Sequence, residues 1–194
     1  MGSLYLIVPH KLHPLWYTPL LPVFFFLSAV CVGLAMTIFE SWHSSKAFRR
    51  ELETPLLEGM ARLLAVLLAV YLMLRGSDLA RRGVWSLAFD GSAESQLFWL
   101  EILLMALPVG LLAGGRWQAH PRRLYTVAVM VIFGFIANRL NVSVTGMETG
   151  SGTHYLPMWS EVAVTLALVA LGFAIFRGAV RRLPVFLGTK HEMA

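Results

Sequence analysis

Five long apolar runs, separated by short polar stretches, limit what this chain can fold into. They cover about residues 15–39, 55–74, 96–113, 124–145 and 159–176. Helices of these lengths can cross roughly 30 Å of hydrocarbon at about 1.5 Å per residue. A water-soluble fold could not bury this much apolar surface, because 57% of the 194 residues are hydrophobic and only 14% are charged. We therefore expect an all-α, polytopic membrane bundle of about five transmembrane helices, forming a single transmembrane domain over residues 1–194.

Basic residues are distributed unequally between the two ends of these predicted helices. Ten lie on the side that holds the 40–54 loop, the 114–123 loop and the C-terminal tail: Lys46, Arg49, Arg50, Arg116, Arg122, Arg123, Arg177, Arg181, Arg182 and Lys190. Five lie on the other side: Lys11, Arg75, Arg81, Arg82 and Arg139. Cytoplasmic loops of membrane proteins carry the excess of lysine and arginine. The sequence therefore predicts a periplasmic N-terminus and a cytoplasmic C-terminus.

Charge and cysteine usage argue against two classes of site. The net charge of +5 comes from arginines in short loops between spans, which we interpret as topology signals, so we expect no nucleic-acid partner. The one cysteine, Cys31, lies within an apolar run. The chain therefore has no set of thiolates for an iron–sulfur cluster or a structural zinc ion, and we expect no metal site.

The positions of the histidines indicate whether the chain can bind haem. A b-type haem inside a helical bundle needs axial ligands, usually histidines, that project from the spans. All six histidines fall outside the predicted spans: His10, His13, His43, His120, His154 and His191. We therefore expect no cofactor bound covalently or through metal ligands, and no catalytic residue of the chain's own.

The most polar segment between two predicted spans is 138–161. Arg139, with Asn141 close behind it, continues the period of the preceding apolar run, so the cation should lie inside the last helical turns. An ionisable group at that depth is costly and by default indicates a functional site. His154 and Tyr155 follow three glycines in a predicted interfacial loop, where they suit either proton exchange and partner docking or ordinary loop capping and anchoring.

Glu101 is the second ionisable group predicted to lie within the membrane. Counting residues from the span ends places Glu101 and Arg139 at similar depths, roughly 7–9 Å below the outer edge. The sequence therefore predicts an ion pair between them. Two interpretations of the pair stay open: Glu101 is a protonatable relay, or the pair is structural and ties spans three and four together.

Short motifs spread along the chain resemble one family of membrane subunits. They are GSLYLI at 2–7, HPLW at 13–16, VGLAMTIFE at 32–40, SLAF at 86–89, FWLE at 98–101, and the segment from RLN to HYLPMWSE at 139–161. These motifs resemble the HybB-like integral membrane subunits of periplasm-facing nickel–iron hydrogenases, within the NrfD or polysulfide-reductase membrane-subunit family. The resemblance covers nearly the whole chain but only the C-terminal half of the family's length. It thus implies a separate N-terminal half as a partner.

The resemblance implies quinone chemistry at the outer face of a bacterial inner membrane. It implies a ferredoxin-like iron–sulfur subunit and nickel–iron hydrogenase subunits as partners, alongside the lipid bilayer. The chain would help pass hydrogenase-derived electrons to the quinone pool without its own redox centre, as a non-catalytic or quinone-site-contributing subunit. Candidates for the quinone or proton path are then Glu101, Arg139, Asn141, His154 and Tyr155. The alternative is a purely structural membrane anchor or an incomplete fragment of such a subunit.

Overall fold

The computed structural model describes residues 12–48, 51–114, 120–146 and 158–182. The chain divides into two units, residues 1–153 and 154–194, and each is described by itself. Within the described ranges the backbone is helical apart from turns and short connections, and it contains no strand. The all-α class predicted from the sequence is confirmed.

The first unit contains four long helices and one short one. They are α1 (Leu21–Phe48), α2 (Thr54–Arg82), α3 (Trp85–Ala88), α4 (Ala93–Ala113) and α5 (Pro121–Leu140), which a π-helical turn (Asn141–Thr145) extends. The four long helices have the length and hydropathy to cross a membrane. The second unit contains α6 (Trp159–Arg182), whose apolar described part, Trp159–Gly172, is shorter than these spans. The predicted polytopic bundle is confirmed, and its sidedness stays a prediction.

The four long helices of the first unit form a closed ring. α1 packs on α2, α2 on α4, α4 on α5, and α5 on α1, while the diagonal contact between α2 and α5 is much smaller. Helices that follow one another along the chain are neighbours, as in up-and-down bundles. The starts of α1 and α4 therefore lie at the same end as the ends of α2 and α5. We call this the Glu101 end, and the opposite end the Trp42 end.

Apolar side chains occupy both the middle and the outside of this ring. In the middle, the ring of Tyr71 makes edge-on contacts with Phe24 and Phe135, each at 5.3 Å between ring centres. On the outside, large side chains such as Phe26 and Met73 are 70% and 66% exposed. Helices that are apolar all round suit a surrounding of lipid rather than water.

The helix α2 extends beyond the predicted span 55–74. It continues through Arg82 and ends at Gly83, which has a left-handed φ of 67° and donates its amide to carbonyls of the last turn. A glycine in this conformation is a common helix terminator. Arg75 therefore lies inside a helix, where it is only 3% exposed, and is not one of the loop residues that decide topology.

Residues 12–20 precede α1 as a non-helical segment, which we call the cap segment. The predicted span 15–39 included most of it, but Pro14 and Pro19 interrupt the helical hydrogen-bond pattern, and the helix begins only at Leu21. Leu15, Trp16 and Thr18 are fully buried. Irregular backbone at membrane depth needs protein partners for its polar groups. These partners come from the ends of α2 and α5.

Candidate functional site

Glu101, in the third turn of α4, is fully buried at the Glu101 end of the bundle. Its Oε1 accepts a hydrogen bond from Asn138 Nδ2 at 2.7 Å, and its Oε2 accepts bonds from Trp16 Nε1 and Asn141 Nδ2, each at 3.1 Å. Arg75 Nη2 lies 3.9 Å from Oε1. Four donor groups thus surround Glu101, three of them in hydrogen bonds and the fourth, Arg75, as a nearby cation. A carboxylate can only accept hydrogen bonds. We call these five residues the Glu101 cluster.

Arg75 supplies the positive charge of this cluster from α2. Its Nη2 also donates to the carbonyl of Leu15 in the cap segment at 3.3 Å, and its guanidinium carbon lies within 6 Å of the ring centres of Phe24 and Phe98. Its Nε has no hydrogen-bond partner among the described residues. A buried arginine with apolar rings around it depends on a nearby anion, because an uncompensated charge in a low-dielectric interior is strongly unfavourable.

The end of α5 supplies two of the four donors. Asn138 and Asn141 are three residues apart, so they lie on one face of the helix, and this face is turned towards α4. The π-helical turn begins at Asn141, whose Nδ2 also lies 3.4 Å from the carbonyl of Leu97. Single π-helical turns at the ends of α-helices occur frequently at functional sites. The π-helical turn and the buried carboxylate of Glu101 therefore both indicate a candidate functional site at this end of α5.

The predicted ion pair between Glu101 and Arg139 is wrong. Arg139 extends towards α1, where it donates to the hydroxyl of Ser28 and to the carbonyl of Phe25 at 3.4 Å. Its guanidinium carbon lies 3.5 Å from the centre of the Phe25 ring. Successive residues of a helix point about 100° apart, so a residue next to Asn138 cannot also face α4. Both residues lie at the same end of the bundle, but Arg139 points towards α1 and not towards Glu101.

The sequence-predicted candidates thus fall into three groups. Glu101 and Asn141 are in direct contact in the structure. Arg139 lies at the same end of the bundle but contacts a different helix. His154 and Tyr155 lie outside the described residues, and their roles stay predictions.

A second polar group holds the cap segment against the end of α2. Asp78 Oδ1 accepts a hydrogen bond from Thr18 Oγ1 at 2.9 Å, and Asp78 Oδ2 accepts one from Arg82 Nε at 2.9 Å. Arg82 Nη1 donates to the carbonyl of Pro14 at 2.6 Å. These contacts fix the segment that carries Trp16 to the buried carboxylate.

Sequence reasoning missed Trp16 and Arg75 as members of the site. The predicted span 55–74 ended one residue before Arg75, although the buried positions of α2 continue beyond it with helical spacing. They are Leu57, Ala61, Leu64, Leu68, Tyr71, Arg75, Asp78 and Leu79. Following this spacing to Gly83 would have placed Arg75 in the interior. No comparable pattern marks Trp16, which lies in an irregular segment.

His13 is the one histidine in the cap segment. Its Nδ1 accepts a hydrogen bond from the amide of Leu15 at 3.3 Å, and its ring lies 5.5 Å from that of Trp16. Burial lowers the pKa of His13, while the negative charge of Glu94 acts in the opposite direction. A neutral imidazole is the form that can accept the bond from Leu15.

Acidification is expected to destabilise the cap segment through His13. Because the folded-state pKa lies below the ordinary value of 6.5, this contribution to stability is complete above pH 6.5 and is lost as the pH falls through the folded-state pKa. Thermal unfolding midpoints, followed by near-UV circular dichroism, should fall more steeply on acidification for the wild type than for His13→Gln. The same pH dependence in both proteins would contradict this assignment.

Comparisons with known proteins identify the family. The family model described as polysulphide reductase, NrfD, matches residues 5–151. The chain is 32% identical over 188 residues to the "Probable Ni/Fe-hydrogenase 2 b-type cytochrome subunit" of Escherichia coli (strain K12), which covers 95% of this chain and 48% of that protein. It is also 32% identical over 196 residues to a protein of Nitratidesulfovibrio vulgaris (strain Hildenborough), with 95% and 50% covered. The chain thus spans about half the length of these curated relatives. No solved structure matches it.

The name of the Escherichia coli relative includes a b-type cytochrome, but the described histidines do not suit a haem between the helices of the first unit. His13 lies in the cap segment. The prediction that His43 lies outside the spans is wrong, because α1 continues beyond residue 39 to Phe48 and includes it. His43 is near the end of α1 and His120 directly precedes α5, so both lie at the opposite end of the bundle from His13. His43 Nε2 is 3.3 Å from the hydroxyl of Tyr125 on the exposed side. The described residues also contain no group of three or more metal-ligating side chains. For the whole chain, the absence of haem stays a prediction.

The family match includes the functional cluster as well as the helices. Residues 5–151 contain the cap segment, all four long helices of the first unit and every member of the Glu101 cluster. Helices of this length and hydropathy, together with the match, make the chain a multi-pass protein of the bacterial inner membrane. The chain belongs to the NrfD family of polysulphide-reductase membrane subunits.

Proposed function

We propose that the chain is a membrane subunit of a hydrogenase or related oxidoreductase complex and helps pass electrons from an iron–sulfur partner subunit to the quinone pool. It would do so without a redox centre of its own, together with the other half of the subunit. The observation that carries this proposal is the Glu101 cluster, a fully buried carboxylate held by a cation and three neutral donors. Ionisable groups inside membrane bundles most often serve ion, proton or substrate pathways.

The chemistry of quinone reduction needs such a group. Reducing a quinone to a quinol consumes two electrons and two protons, and the electrons would come from the partner subunit. Glu101 could take up and release protons, because the amides of Asn138 and Asn141 can rotate to present a carbonyl to the protonated acid and an NH₂ group to the carboxylate. Arg75, whose Nη2 lies 3.9 Å from Oε1, supplies the nearby positive charge. His154 and Tyr155 remain candidates for proton exchange at the outer face.

A purely structural anchor is the competing function, and one observation favours it. Both oxygens of Glu101 are already occupied by protein donors. The cluster therefore connects α2, α4, α5 and the cap segment, and this alone could explain its presence. An experiment has to separate assembly of the complex from its turnover.

The test is quinone reduction by the complete complex in membranes, with wild-type chain or with Glu101→Gln. Glutamine keeps the shape of glutamate but brings an NH₂ group against four donors, and it cannot carry a proton. We expect hydrogen-dependent reduction of a soluble quinone analogue to fall by about 100-fold to 10,000-fold per assembled complex, the scale of a lost proton-transfer group. The amount of assembled complex is measured by quantitative immunoblotting.

Two controls make the result specific. Reduction of a viologen dye, which takes electrons directly from the hydrogenase, should stay unchanged in Glu101→Gln. Ser77→Ala, an exposed change on α2 near the cluster, should leave quinone reduction unchanged. Full quinone reduction by Glu101→Gln at normal assembly would leave the structural anchor as the function of the cluster. Normal quinone reduction by membranes that lack the chain would refute the proposed function as a whole.

A further inference from the structure

A shallow groove lies at the Trp42 end of the bundle, at the opposite end from the Glu101 cluster. It has a volume of about 500 Å³. It lies where the end of α1, the connection before α2 and the start of α5 come together. Its lining residues are Trp42, Leu52, His120, Pro121, Arg122 and Arg123. The proposed function uses none of them.

The polar part of this lining is basic. Arg122 and Arg123 occupy the first turn of α5, are exposed, and have no acidic residue beside them in that turn. Lys46 adds a third cation, with its Nζ lying 4.8 Å from the centre of the Trp42 ring. Glu51 and Glu53 flank the connection but are not among the lining residues. The charged residues that line the groove are therefore both cations.

The other wall of the groove is aromatic and belongs to α1. The ring of Trp42 stacks on that of Tyr125 at 5.5 Å between ring centres, and the ring of Phe39 also stacks on Tyr125, at the same distance. Tryptophan and tyrosine are enriched where helices leave the hydrocarbon, at the level of the lipid headgroups. Because the groove lies at the helix ends beside such rings, we place it at the height of the headgroups.

We propose that this groove binds the headgroup phosphate of an anionic phospholipid, in the leaflet that the predicted topology makes cytoplasmic. Guanidinium groups can hold phosphate oxygens through paired hydrogen bonds, and the aromatic wall can carry the upper part of an acyl chain. Basic pockets between transmembrane helices are a known type of site for anionic headgroups. A lipid is favoured over a soluble anion because the groove adjoins apolar helix surface that lipid must cover. This inference is independent of the proposed function.

Native mass spectrometry of the full chain in detergent micelles can test the proposal. The chain is titrated with phosphatidylglycerol, and in parallel with phosphatidylethanolamine of the same acyl chains, which has no net charge. We expect one phosphatidylglycerol to bind well above the background of both lipids. Removing two cations at about 1 kcal/mol each should weaken this binding roughly 30-fold in Arg122→Gln/Arg123→Gln. The matched control, Arg62→Gln/Arg81→Gln, removes two exposed arginines outside the groove and should bind like the wild type.

Each other outcome would overturn the proposal. Equal losses in the two double variants would mean that net charge, and not the groove, attracts the lipid. Equal binding of both lipids would remove the role of the headgroup charge. Displacement of the lipid by inorganic phosphate at similar concentration would identify a site for a soluble anion. Circular dichroism and gel filtration of both variants establish that they remain folded, since all four arginines are exposed.

Discussion

Replacing Arg75 with leucine is expected to lower the free energy of unfolding by about 3–5 kcal/mol, because Glu101 would keep a buried negative charge without a cation. Glu101→Gln alone should cost a similar amount, since Arg75 then loses its anion. The double substitution should recover much of the loss, as replacing both members of a buried pair is often close to neutral. This is the largest effect that the structure predicts.

Equilibrium unfolding of the chain in mixed micelles, with increasing fractions of a denaturing detergent, would measure these changes. The matched comparison is Arg139→Leu, which removes an arginine at the same end of the bundle that contacts Ser28 instead of Glu101. Its effect should add to that of Glu101→Gln, because residues without shared partners behave independently. Additive effects for Arg75 and Glu101, or strong coupling between Arg139 and Glu101, would contradict the pairing described above.

The second large effect is expected at Gly134, where α4 and α5 approach most closely. A Cβ atom there would lie 3.1 Å from Leu104 Cβ and 3.2 Å from Met105 Cγ. Gly134→Val should therefore cost about 1–3 kcal/mol or more, through overpacking. Gly134 precedes Asn138 by one helical turn, and Met105 follows Glu101 by one turn. Moving α4 and α5 apart at Gly134 should therefore also lengthen the hydrogen bond from Asn138 to the Glu101 carboxylate.

Gly110→Val is the matched control, because it makes the same change in the interior of α4 at a glycine with open space around its Cα. The same unfolding measurement should show little loss for Gly110→Val. The near-UV circular dichroism of the buried Trp16, a member of the Glu101 cluster, should change only in Gly134→Val. Equal losses at the two glycines would mean that valine acts through helix propensity and not through the helix contact.

The sequence predicted the membrane bundle well because hydropathy and length act on whole helices. A run such as 124–145 stays apolar over more than five turns, so an error of a few residues does not change the assignment. The same physics predicted that Glu101 lies inside the membrane. Hydropathy could not predict that the ring of helices is closed. A hydropathy profile does not show which helices pack together, and here α5 packs on α1.

The members of the candidate site were harder to predict, because contact between them depends on the direction in which each side chain leaves its helix and not on depth alone. Residue counting gave Glu101 and Arg139 similar depths, but whether two side chains meet depends on helix rotation, and one residue changes that by about 100°. The asparagines on either side of Arg139 reach the carboxylate, while Arg139 contacts α1. Arg75 was missed for a different reason, which is that the predicted span 55–74 ended before it, whereas α2 continues through Arg82.

The cap segment has a consequence for the order in which the protein assembles. Its carbonyls at Pro14 and Leu15 are held by Arg82 and Arg75, about 60 residues later in the chain. When α1 first inserts, α2 is not yet packed beside it, and lipid cannot replace these arginines as hydrogen-bond donors. Residues 12–20 must therefore wait in the headgroup region or in the translocation machinery until α2 has crossed the membrane. The Glu101 cluster, whose carboxylate is on α4, can form only after that. The Glu101 end of the bundle is therefore the last to assemble.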